Sequence, residues 1–243
     1  MHPILVSTKW MTIYSFGTLV AMGYLFAGFL LWREMRQKGK DPMAFLDLGL
    51  GVLLSSLLGG RLLFILLNLR EYLEDPVEIF KIYHGGLVFY GGFLSALLFA
   101  FWFIHKKNLP LWETLDVMTP YAVLVHAFGR IGCFLNGCCY GKPTSLFWGV
   151  RFPGEEVSLH PTQLYESFFL FVLFAFLRKL PKRRALAHGT LFLLYLFSYG
   201  LFRFFVEFYR GDQEFFYGGW TLPQLLSLFL LIAALVLGRR KRT

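Results

Sequence analysis

Three arginines lie inside long apolar stretches of this chain, where a charged side chain needs a chemical reason. They are Arg61, Arg130 and Arg203. A guanidinium in hydrocarbon costs ~2.5–3.5 kcal/mol on insertion scales, so such residues usually face a polar cavity and mark a site. Arginines without a matching number of carboxylates in the same spans favour an anionic ligand, and a phospholipid phosphate is the obvious anion there. The alternative is that each side chain snorkels to the nearer interface.

One of these arginines shares a helix face with three other polar residues. In YGLFRFFVEFYRGD, Tyr199, Arg203, Glu207 and Arg210 recur at spacings of four, four and three. This spacing stacks the four side chains along one side of a helix. They form either part of a binding site or a self-neutralising set of Arg and Glu residues that only stabilises the helix bundle.

The stretch HAFGRIGCFLNGCCYG combines a histidine, an arginine and all three cysteines. His126 lies four residues before Arg130. It is either a catalytic base or a histidine that is hydrogen-bonded in the core. No second Cys or His pair follows at a familiar ligand spacing, so we predict no metal site. A disulfide joining Cys133 to Cys138 or Cys139 remains open.

Two glycine pairs enclose the aromatic segment of HGGLVFYGG. Glycine in a membrane helix commonly allows close helix packing, which is one interpretation. The other is that a lipid headgroup or acyl chain approaches the bare backbone beside His84 and Tyr90. Gly59, Gly60 and Arg61 repeat the combination of a glycine pair with a polar side chain. The paired glycines of the first segment are Gly85, Gly86, Gly91 and Gly92.

Membrane-spanning helices are the elements that must position these residues. Of the 243 residues, 56% are hydrophobic and 19% aromatic, and the mean hydropathy is +0.56, outside the usual range of soluble domains. Apolar runs of about 20 residues cross ~30 Å of hydrocarbon as helices, and they lack the alternation of a β-barrel. We therefore predict an all-α integral membrane protein with seven transmembrane helices. The predicted spans are 13–32, 45–68, 86–104, 115–137, 163–180, 189–209 and 221–238.

The distribution of Lys and Arg predicts the orientation. One side collects basic clusters within 33–40, 106–107, 178–184 and 239–242, whereas the other side has isolated basic residues. The positive-inside rule then places the C-terminus in the cytoplasm and the N-terminus outside. With this topology, the arginines of the second, fourth and sixth spans all lie in the outer half of the membrane.

The net charge of +9 does not predict nucleic-acid binding. The basic residues lie in short clusters between apolar spans, where topology and anionic headgroups explain them. Connections are short, and we find no internal repeat or low-complexity segment. We expect one domain over residues 1–243, with a small outer-face loop region at about 138–162.

Several motifs together resemble those of the bacterial prolipoprotein diacylglyceryl transferase family. GRIGCFLNGCCYG in the fourth span is similar to the family signature, usually Gly-Arg, Gly-Asn-Phe, Asn, Glu and a final Gly. The resemblance covers nearly the whole chain, with motifs in the family's order. The other motifs are GGRL at 59–62, GGLVFYGG at 85–92, HPTQLYE at 160–166, YGLFRFFVEFYRGD at 199–212 and PQLLS at 223–227.

This resemblance implies a multi-pass enzyme of the bacterial inner membrane. Such an enzyme transfers the diacylglyceryl group of phosphatidylglycerol to the lipobox cysteine thiol of a prolipoprotein signal peptide and releases glycerol phosphate. Its partners are these two substrates and membrane lipid, its active site faces the outer leaflet, and displacement by sulfur requires no cofactor. The alternatives are a relative that uses the same donor on another acceptor, or a non-enzymatic binder or transporter of anionic lipid.

The resemblance also implies roles for individual residues. Arg130 would hold the lipid phosphate and Arg203 would face the reacting centre. Tyr90, His84 and Glu207 are the remaining catalytic candidates. The candidates for substrate binding are Arg61, Asn136, Gly141, Tyr199, Arg210, Gly85, Gly86, Gly91 and Gly92.

Four positions depart from the family pattern. Tyr90 stands where the best-known members carry a histidine, and Phe16 stands where a tyrosine is common. Cys133 replaces the first signature asparagine, and Cys138 replaces the glutamate. Because a tyrosine hydroxyl is a poor proton acceptor unless neighbouring arginines favour its anion, the acceptor stays open. The candidates are Tyr90 and His84 equally, then His126, and also Glu207, with water or the departing phosphate as the alternative.

Overall fold

Helices dominate this computed structural model, in which residues 1–8, 12–74, 77, 79, 86–183, 186–211 and 215–240 are described. The helices are α1 (Ser15–Gln37), α2 (Met43–Leu67), α3 (Leu69–Glu74), α4 (Phe89–Lys106), α5 (Leu111–Asn136), α6 (Thr162–Arg183), α7 (Thr190–Val206) and α8 (Leu222–Arg240). A 3₁₀ turn, Glu207–Tyr209, follows α7. Two antiparallel ribbons pair β1 (Ile4–Ser7) with β2 (Thr12–Tyr14), and β3 (Phe215–Tyr217) with β4 (Trp220–Thr221).

Six helices are long and apolar enough to cross a membrane, judged by length and composition: α1, α2, α4, α5, α7 with its 3₁₀ turn, and α8. They coincide with six of the seven predicted spans, so the protein is a multi-pass membrane protein. The remaining predicted span, 163–180, is also a single helix, α6. It is more polar than the others because Glu166, Arg178 and Lys179 place three charges within it. The seventh span and the orientation of the termini therefore stay predictions.

Large apolar side chains on the helices are exposed. Leu25 on α1 is 76% exposed, Phe89 on α4 is 74% exposed and Phe168 on α6 is 72% exposed. Soluble proteins rarely leave extended apolar surface in contact with water. These outward-facing side chains fit a hydrocarbon solvent.

The chain groups into two compact units, and each is described by itself. The first unit comprises residues 1–29 and 115–243, and the second unit comprises residues 30–114. In the second unit, α2 and α4 pack antiparallel through small residues. A Cβ on Gly92 would lie 2.8 Å from the carbonyl oxygen of Ser56, and one on Gly91 would meet that of Gly59. Small residues let membrane helices approach this closely.

In the first unit, α5, α6 and α7 surround an apolar core. The hydroxyl of Ser167 on α6 donates to the carbonyl of Ala127 on α5 at 3.0 Å, which joins the two helices. Asp116 on α5 accepts hydrogen bonds from the amides of Gly189, at 2.6 Å, and Phe192, at 3.0 Å. Its carboxylate thus satisfies amides at the start of α7 that have no partner within the helix. The core residues are Val123, Ala127, Leu170, Leu173, Leu177 and Leu191.

The connection between α5 and α6 is a folded segment. Val150 and Leu159 exchange two backbone hydrogen bonds, of 3.0 and 2.9 Å. Phe152 is 2% exposed and packs its ring against those of Phe134 and Tyr140. This segment covers the end of α5 and leads directly into α6.

The contact between α2 and α4 predicts a stability effect at Gly91. Gly91→Ala should lower the free energy of unfolding by ~1–3 kcal/mol, because the added methyl group meets the backbone of α2, which cannot move aside as a side chain can. Thermal unfolding in detergent micelles measures this loss.

Gly17→Ala is the matched control. A Cβ on Gly17, in α1, would meet nothing within 4 Å, so alanine should be neutral or stabilise the helix by ~0.5–1 kcal/mol. If Gly91→Ala were as stable as the control, Gly91 would not be a packing residue.

Candidate active site

A single carboxylate oxygen in the first unit contacts three polar side chains. Oε1 of Glu166 lies 3.0 Å from Nε of Arg130, accepts a 2.8 Å hydrogen bond from the hydroxyl of Tyr199, and lies 3.5 Å from Nε2 of His126. Glu166 is 2% exposed. An unpaired buried charge is costly, and each partner of this ion pair compensates the other. These four residues are called the Glu166 cluster.

Three helices bring the Glu166 cluster together. His126 and Arg130 are one turn apart on the same face of α5, Glu166 lies near the start of α6, and Tyr199 lies on α7. The ring of His126 packs edge-on against that of Tyr199, with centroids 5.1 Å apart. Tyr199 stacks in turn on Tyr195, with centroids 5.7 Å apart. The cluster is therefore held both by its charges and by packed rings.

Glu166 changes the balance of charges in the apolar spans. The sequence suggested more arginines than carboxylates there, but Glu166 pairs with Arg130, and Glu207 pairs with Arg203 at 2.7 Å. Glu166 was absent from the candidate residues, although it closes the HPTQLYE motif. The signal that pointed to it is a single carboxylate near the start of an otherwise apolar helix.

The second buried ion pair, Arg203 with Glu207, is hydrogen-bonded to the residue that precedes α8. Oε1 of Glu207 accepts a 2.8 Å hydrogen bond from the hydroxyl of Thr221, while its Oε2 contacts Arg203. The amide of Thr221 donates to the side chain of Gln224 at 3.0 Å, and the amide of Gln224 donates back to the Thr221 hydroxyl at 3.4 Å. This reciprocal arrangement is a capping box at the start of α8. The helix cap and the ion pair thus share one hydroxyl group.

Gly141 and Arg210 form a backbone bridge in the first unit. Beside it, the amide of Lys142 donates to the carbonyl of Tyr209 at 2.8 Å. A Cβ on Gly141 would lie 2.5 Å from that carbonyl oxygen and 2.6 Å from Cβ of His160. The close approach of the two chain segments therefore requires glycine at this position, whether or not substrate also contacts it.

Asn136 is the last residue of α5, and the helix ends there in a Schellman motif. Gly137 has φ 74°, a left-handed conformation that glycine adopts without strain. Its amide donates to the carbonyl of Phe134 at 3.1 Å, and that of Cys138 donates to the carbonyl of Cys133 at 3.2 Å. This pattern of two bonds closes a helix and directs the chain away from its axis.

A polar cavity of about 210 Å³ lies beside the Arg203–Glu207 pair. The lining includes the cationic side chains of Lys142 and Arg210 and the carboxylate of Glu207, which pairs with Arg203. Cationic side chains in a lining can contact an anionic group. The other lining residues are Phe208, Gly211, Gly219, Thr221 and Gln224.

In the second unit, Arg61 is 6% exposed. Its Nε and Nη1 lie 3.4 Å from the carbonyl oxygens of Ile79 and Gly86. The guanidinium also lies 5.8 Å from the ring centroid of Phe64 and 5.4 Å from that of Tyr72. Carbonyls and aromatic faces stabilise this cation, in contrast to the carboxylates that Arg130 and Arg203 contact.

The glycine-rich segment of the second unit is described only in part. Tyr90 is 56% exposed on α4, while Gly91 and Gly92 pack against α2. His84 and Gly85 lie outside the described residues. Gly86 has φ 80°, and a Cβ there would lie 2.8 Å from Nη1 of Arg61.

The first unit offers two kinds of ligand-binding group. The side chain of Arg130 keeps 16% exposure beside Glu166, so an anion can still approach its guanidinium. Among the described residues, one group of potential metal ligands brings its ligand atoms together, the thiols of Cys133, Cys138 and Cys139. The sequence-predicted residues Tyr199 and Arg130 share the Glu166 cluster.

We expect a substitution at Glu166 that preserves the shape of the side chain to lower the stability of the protein strongly. Glu166→Gln should lower the free energy of unfolding by ~3–5 kcal/mol, because it leaves Arg130 buried without its counter-charge. Glu113→Gln is the control, since Glu113 forms a partly exposed ion pair with Lys40 at 2.7 Å, worth at most ~1 kcal/mol. Denaturant titration in micelles compares the two, and equal losses would contradict a special role for the buried pair.

Comparison with known proteins places this site in a family. The family model for prolipoprotein diacylglyceryl transferase matches residues 3–238. Over 237 residues, the chain is 36% identical to the phosphatidylglycerol–prolipoprotein diacylglyceryl transferase of Clostridium tetani, covering 96% of this chain and 94% of that protein. It is 35% identical over 240 residues to the Geobacter sulfurreducens enzyme of the same name, with coverages of 93% and 91%. It is 32% identical over 230 residues to transferase 2 of Clostridium perfringens, with coverages of 93% and 90%. The matches extend over the whole Glu166 cluster and the Arg203–Glu207 pair, and the chain belongs to the prolipoprotein diacylglyceryl transferase family.

Proposed function

We propose that this protein transfers the diacylglyceryl group of phosphatidylglycerol to the lipobox cysteine thiol of prolipoproteins and releases glycerol phosphate. The full-length match to enzymes named for this reaction carries the proposal. The site supports it, because buried arginines held by carboxylates suit a substrate with a phosphate in apolar surroundings. The substrates are thus phosphatidylglycerol and a prolipoprotein signal peptide, with membrane lipid as the solvent.

The reaction is a displacement at carbon. The cysteine sulfur attacks the glyceryl carbon that bears the phosphate, the carbon–oxygen bond breaks, and the phosphate leaves with the bonding electrons. Negative charge then grows on the leaving phosphate, and a cation held in place before the reaction stabilises it. We assign this role to Arg130, since its side chain combines a fixed position against Glu166 with remaining exposure.

Arg203 and Glu207 have a second role in the proposal. The Arg203–Glu207 pair is almost fully buried and is anchored to the cap of α8. It holds one wall of the polar cavity, where Arg210 adds a further cation for the phosphate. Both oxygens of Glu207 are engaged, which argues against Glu207 as the acceptor of the thiol proton. We keep Tyr90 and His84 as the candidates for that step.

The remaining candidates are proposed as lipid contacts. In the first unit, Asn136 ends α5, Gly141 lies near the start of the loop that follows it, and Tyr199 contacts Glu166. In the second unit, Arg61 with its carbonyl and aromatic neighbours is suited to a headgroup. The glycines proposed with it are Gly85, Gly86, Gly91 and Gly92.

The finer membrane topology belongs to the same proposal. We propose a single domain of seven spans, with α6 as the fifth, in the bacterial inner membrane. The basic clusters favour an external N-terminus, a cytoplasmic C-terminus and a site open to the outer leaflet. The folded loop at about 138–162 then lies on the outer face, where prolipoproteins become accessible.

One observation favours a second candidate function. Tyr90, Cys133 and Cys138 stand where the family pattern has other residues, which fits an enzyme that uses the same lipid donor on another acceptor. Purified protein incubated with phosphatidylglycerol and a lipobox peptide separates the possibilities. Glycerol phosphate with a lipidated peptide supports the main proposal, and glycerol phosphate alone supports the other acceptor. If neither product forms, the remaining possibility is a protein that binds or transports lipid.

We expect substitution of Arg130 to cause the largest loss of transfer activity. Arg130→Ala should lower the transfer rate by at least ~10²-fold, because the leaving phosphate loses its cation. Arg130→Lys keeps a charge beside Glu166 and should fold, yet it lacks the planar guanidinium and should also be slow. Arg151→Ala, an exposed arginine in the loop, is the control and should be fully active. Full activity of Arg130→Lys and Arg130→Ala would remove Arg130 from the site.

Substitution of Tyr90 tests whether its hydroxyl contributes to the pH dependence of transfer. If its hydroxyl accepts the thiol proton, Tyr90→Phe should slow transfer by ~10²–10⁴-fold and alter the pH–rate profile. Tyr14→Phe, another exposed tyrosine, should leave both unchanged. A Tyr90→Phe enzyme with an unaltered rate and profile would leave His84 as the leading acceptor, to be examined by His84→Gln in the same assay.

A further inference from the structure

All three cysteines of the chain converge on one point of the first unit. Cys133, Cys138 and Cys139 are free thiols of intermediate exposure, and their sulfur atoms lie within 4.8 Å of one another. The chain has no other cysteine. Three sulfur atoms at such separations form a set of ligands for a thiophilic metal ion.

The end of α5 explains why these sulfur atoms meet. Cys133 lies in the last turn of the helix, and the Schellman motif at Gly137 folds the next residues back against that turn. The thiol of Cys138 lies 3.6 Å from the carbonyl oxygen of Cys133. Cys139 has φ 65°, which is uncommon for a residue other than glycine and turns its side chain out of an extended path. The sequence spacing alone did not predict this meeting of thiols.

Two buried side chains at the start of α6 hold this turn in place. The hydroxyl of Thr162 donates to the carbonyl of Cys139 at 2.8 Å, and the amide of Gln163 donates to the carbonyl of Cys138 at 2.6 Å. Thr162 is 2% exposed and Gln163 is 1% exposed. Metal sites require ligands on a rigid backbone, and this turn is tied to two helices.

Two cationic side chains lie near the thiols. The guanidinium of Arg130 interacts electrostatically with Cys133 and Cys139, and that of Arg210 interacts with Cys139. Metal ions bind cysteine in its thiolate form. A Zn²⁺ ion with three thiolates would carry one net negative charge, which suits surroundings that contain cationic side chains.

We propose that Cys133, Cys138 and Cys139 bind one Zn²⁺ ion as three thiolates and leave its fourth position open. Zinc is tetrahedral with Zn–S distances of ~2.3 Å, so its sulfur ligands lie ~3.8 Å apart. The thiols reach this spacing through shifts of about an ångström. Cys133 and Cys138 are two of the positions at which the chain differs from the usual family signature.

The open position has the geometry of a catalytic rather than a structural zinc site. Resting on the proposed function, we assign its exchangeable ligand as the thiol of the acceptor cysteine. Coordination releases the thiol proton to solvent and leaves a zinc-bound thiolate. That sulfur then attacks the glyceryl carbon, the carbon–oxygen bond breaks, and glycerol phosphate departs with the electron pair. This arrangement would supply the deprotonated sulfur in place of a dedicated base, and it is therefore the alternative to Tyr90 and His84 for that step.

The metal site is tested first without any activity. Protein without an affinity tag is purified under reducing, oxygen-free conditions, and bound zinc is measured by native mass spectrometry and by competition with a chromophoric chelator. We expect one Zn²⁺ ion per chain. Replacement of one thiolate ligand should weaken zinc binding by more than ~100-fold, which is the largest loss expected for a residue that only supports a ligand. The three replacements are Cys133→Ser, Cys138→Ser and Cys139→Ser. His105→Ala, at the end of α4, is the control for zinc held by surface histidines and should retain the ion.

The open position is tested with Co²⁺ in place of zinc. A lipobox peptide should increase the sulfur-to-cobalt charge-transfer absorption, whereas the same peptide with serine at the acceptor position should not. Thermal unfolding of each variant separates loss of the ion from loss of the fold. Absence of bound zinc in folded wild-type protein overturns the site. A mass 2 Da lower with one alkylatable thiol also overturns it, because this result shows a disulfide.

These measurements also separate the two proposals. Peptide lipidation by zinc-free protein would overturn the role of the ion in thiol activation and leave the transferase function intact. Zinc binding without any lipidation or glycerol phosphate release would overturn the function and leave the site. An identical cobalt spectrum with cysteine and serine peptides would overturn the assignment of the fourth ligand alone.

Discussion

The ion pair between Arg130 and Glu166 is the interaction on which the first unit depends. Each charge alone is costly in an apolar interior, and the two compensate each other at 3.0 Å. The same carboxylate oxygen accepts the hydroxyl of Tyr199, so one charged group determines the relative positions of α5, α6 and α7. Under the proposed function, a substrate phosphate would bind beside an arginine that is already fixed. Such preorganisation removes the cost of moving charges during the reaction.

The buried arginines are stabilised in three different ways, and the difference separates their roles. Arg203 pairs with Glu207 within one helix turn and reaches the cap of α8 through Thr221. Arg61 rests against carbonyl oxygens and aromatic faces in the second unit. Arg130 pairs across two helices and keeps some exposure. Under the proposed function, the lipid phosphate contacts Arg130, because this cation is both partly accessible and oriented by a carboxylate.

The turn between α5 and α6 links this electrostatic arrangement to the loop. Gly137 ends α5, and Thr162 and Gln163 hold the carbonyls of the following cysteines at the start of α6. Thr162 and Gln163 lie four and three residues before Glu166 on α6, so the side chains that hold the turn and the carboxylate that pairs with Arg130 share one helix. Irregular backbone inside a membrane protein must have its polar groups satisfied by protein, and here buried side chains satisfy them. This requirement makes the turn rigid enough to present side chains for chemistry.

Much of this protein follows from its sequence alone. The apolar runs located every long helix, including α6, because about 20 apolar residues in succession have few alternatives to a helix in hydrocarbon. The motif order identified the family. The charges inside apolar spans drew attention to Arg130, Arg203 and Glu207, which all form ion pairs in the first unit. Local spacing also predicted the shared helix faces, since residues four apart on a helix meet wherever that helix lies.

Only the tertiary structure decided which charges meet. Glu166 is 36 residues from Arg130 and 33 from Tyr199 along the chain, and no local period links such distant positions. The sequence predicts Gly141 as a substrate contact, and the structure adds that backbone crowding against Tyr209 requires glycine there. The three cysteines lacked a recognised ligand spacing, yet one helix-ending turn brings their thiols together. The sequence determined the elements and the residue types, because these depend on neighbours along the chain. The fold decided the partners, because pairing depends on how helices pack.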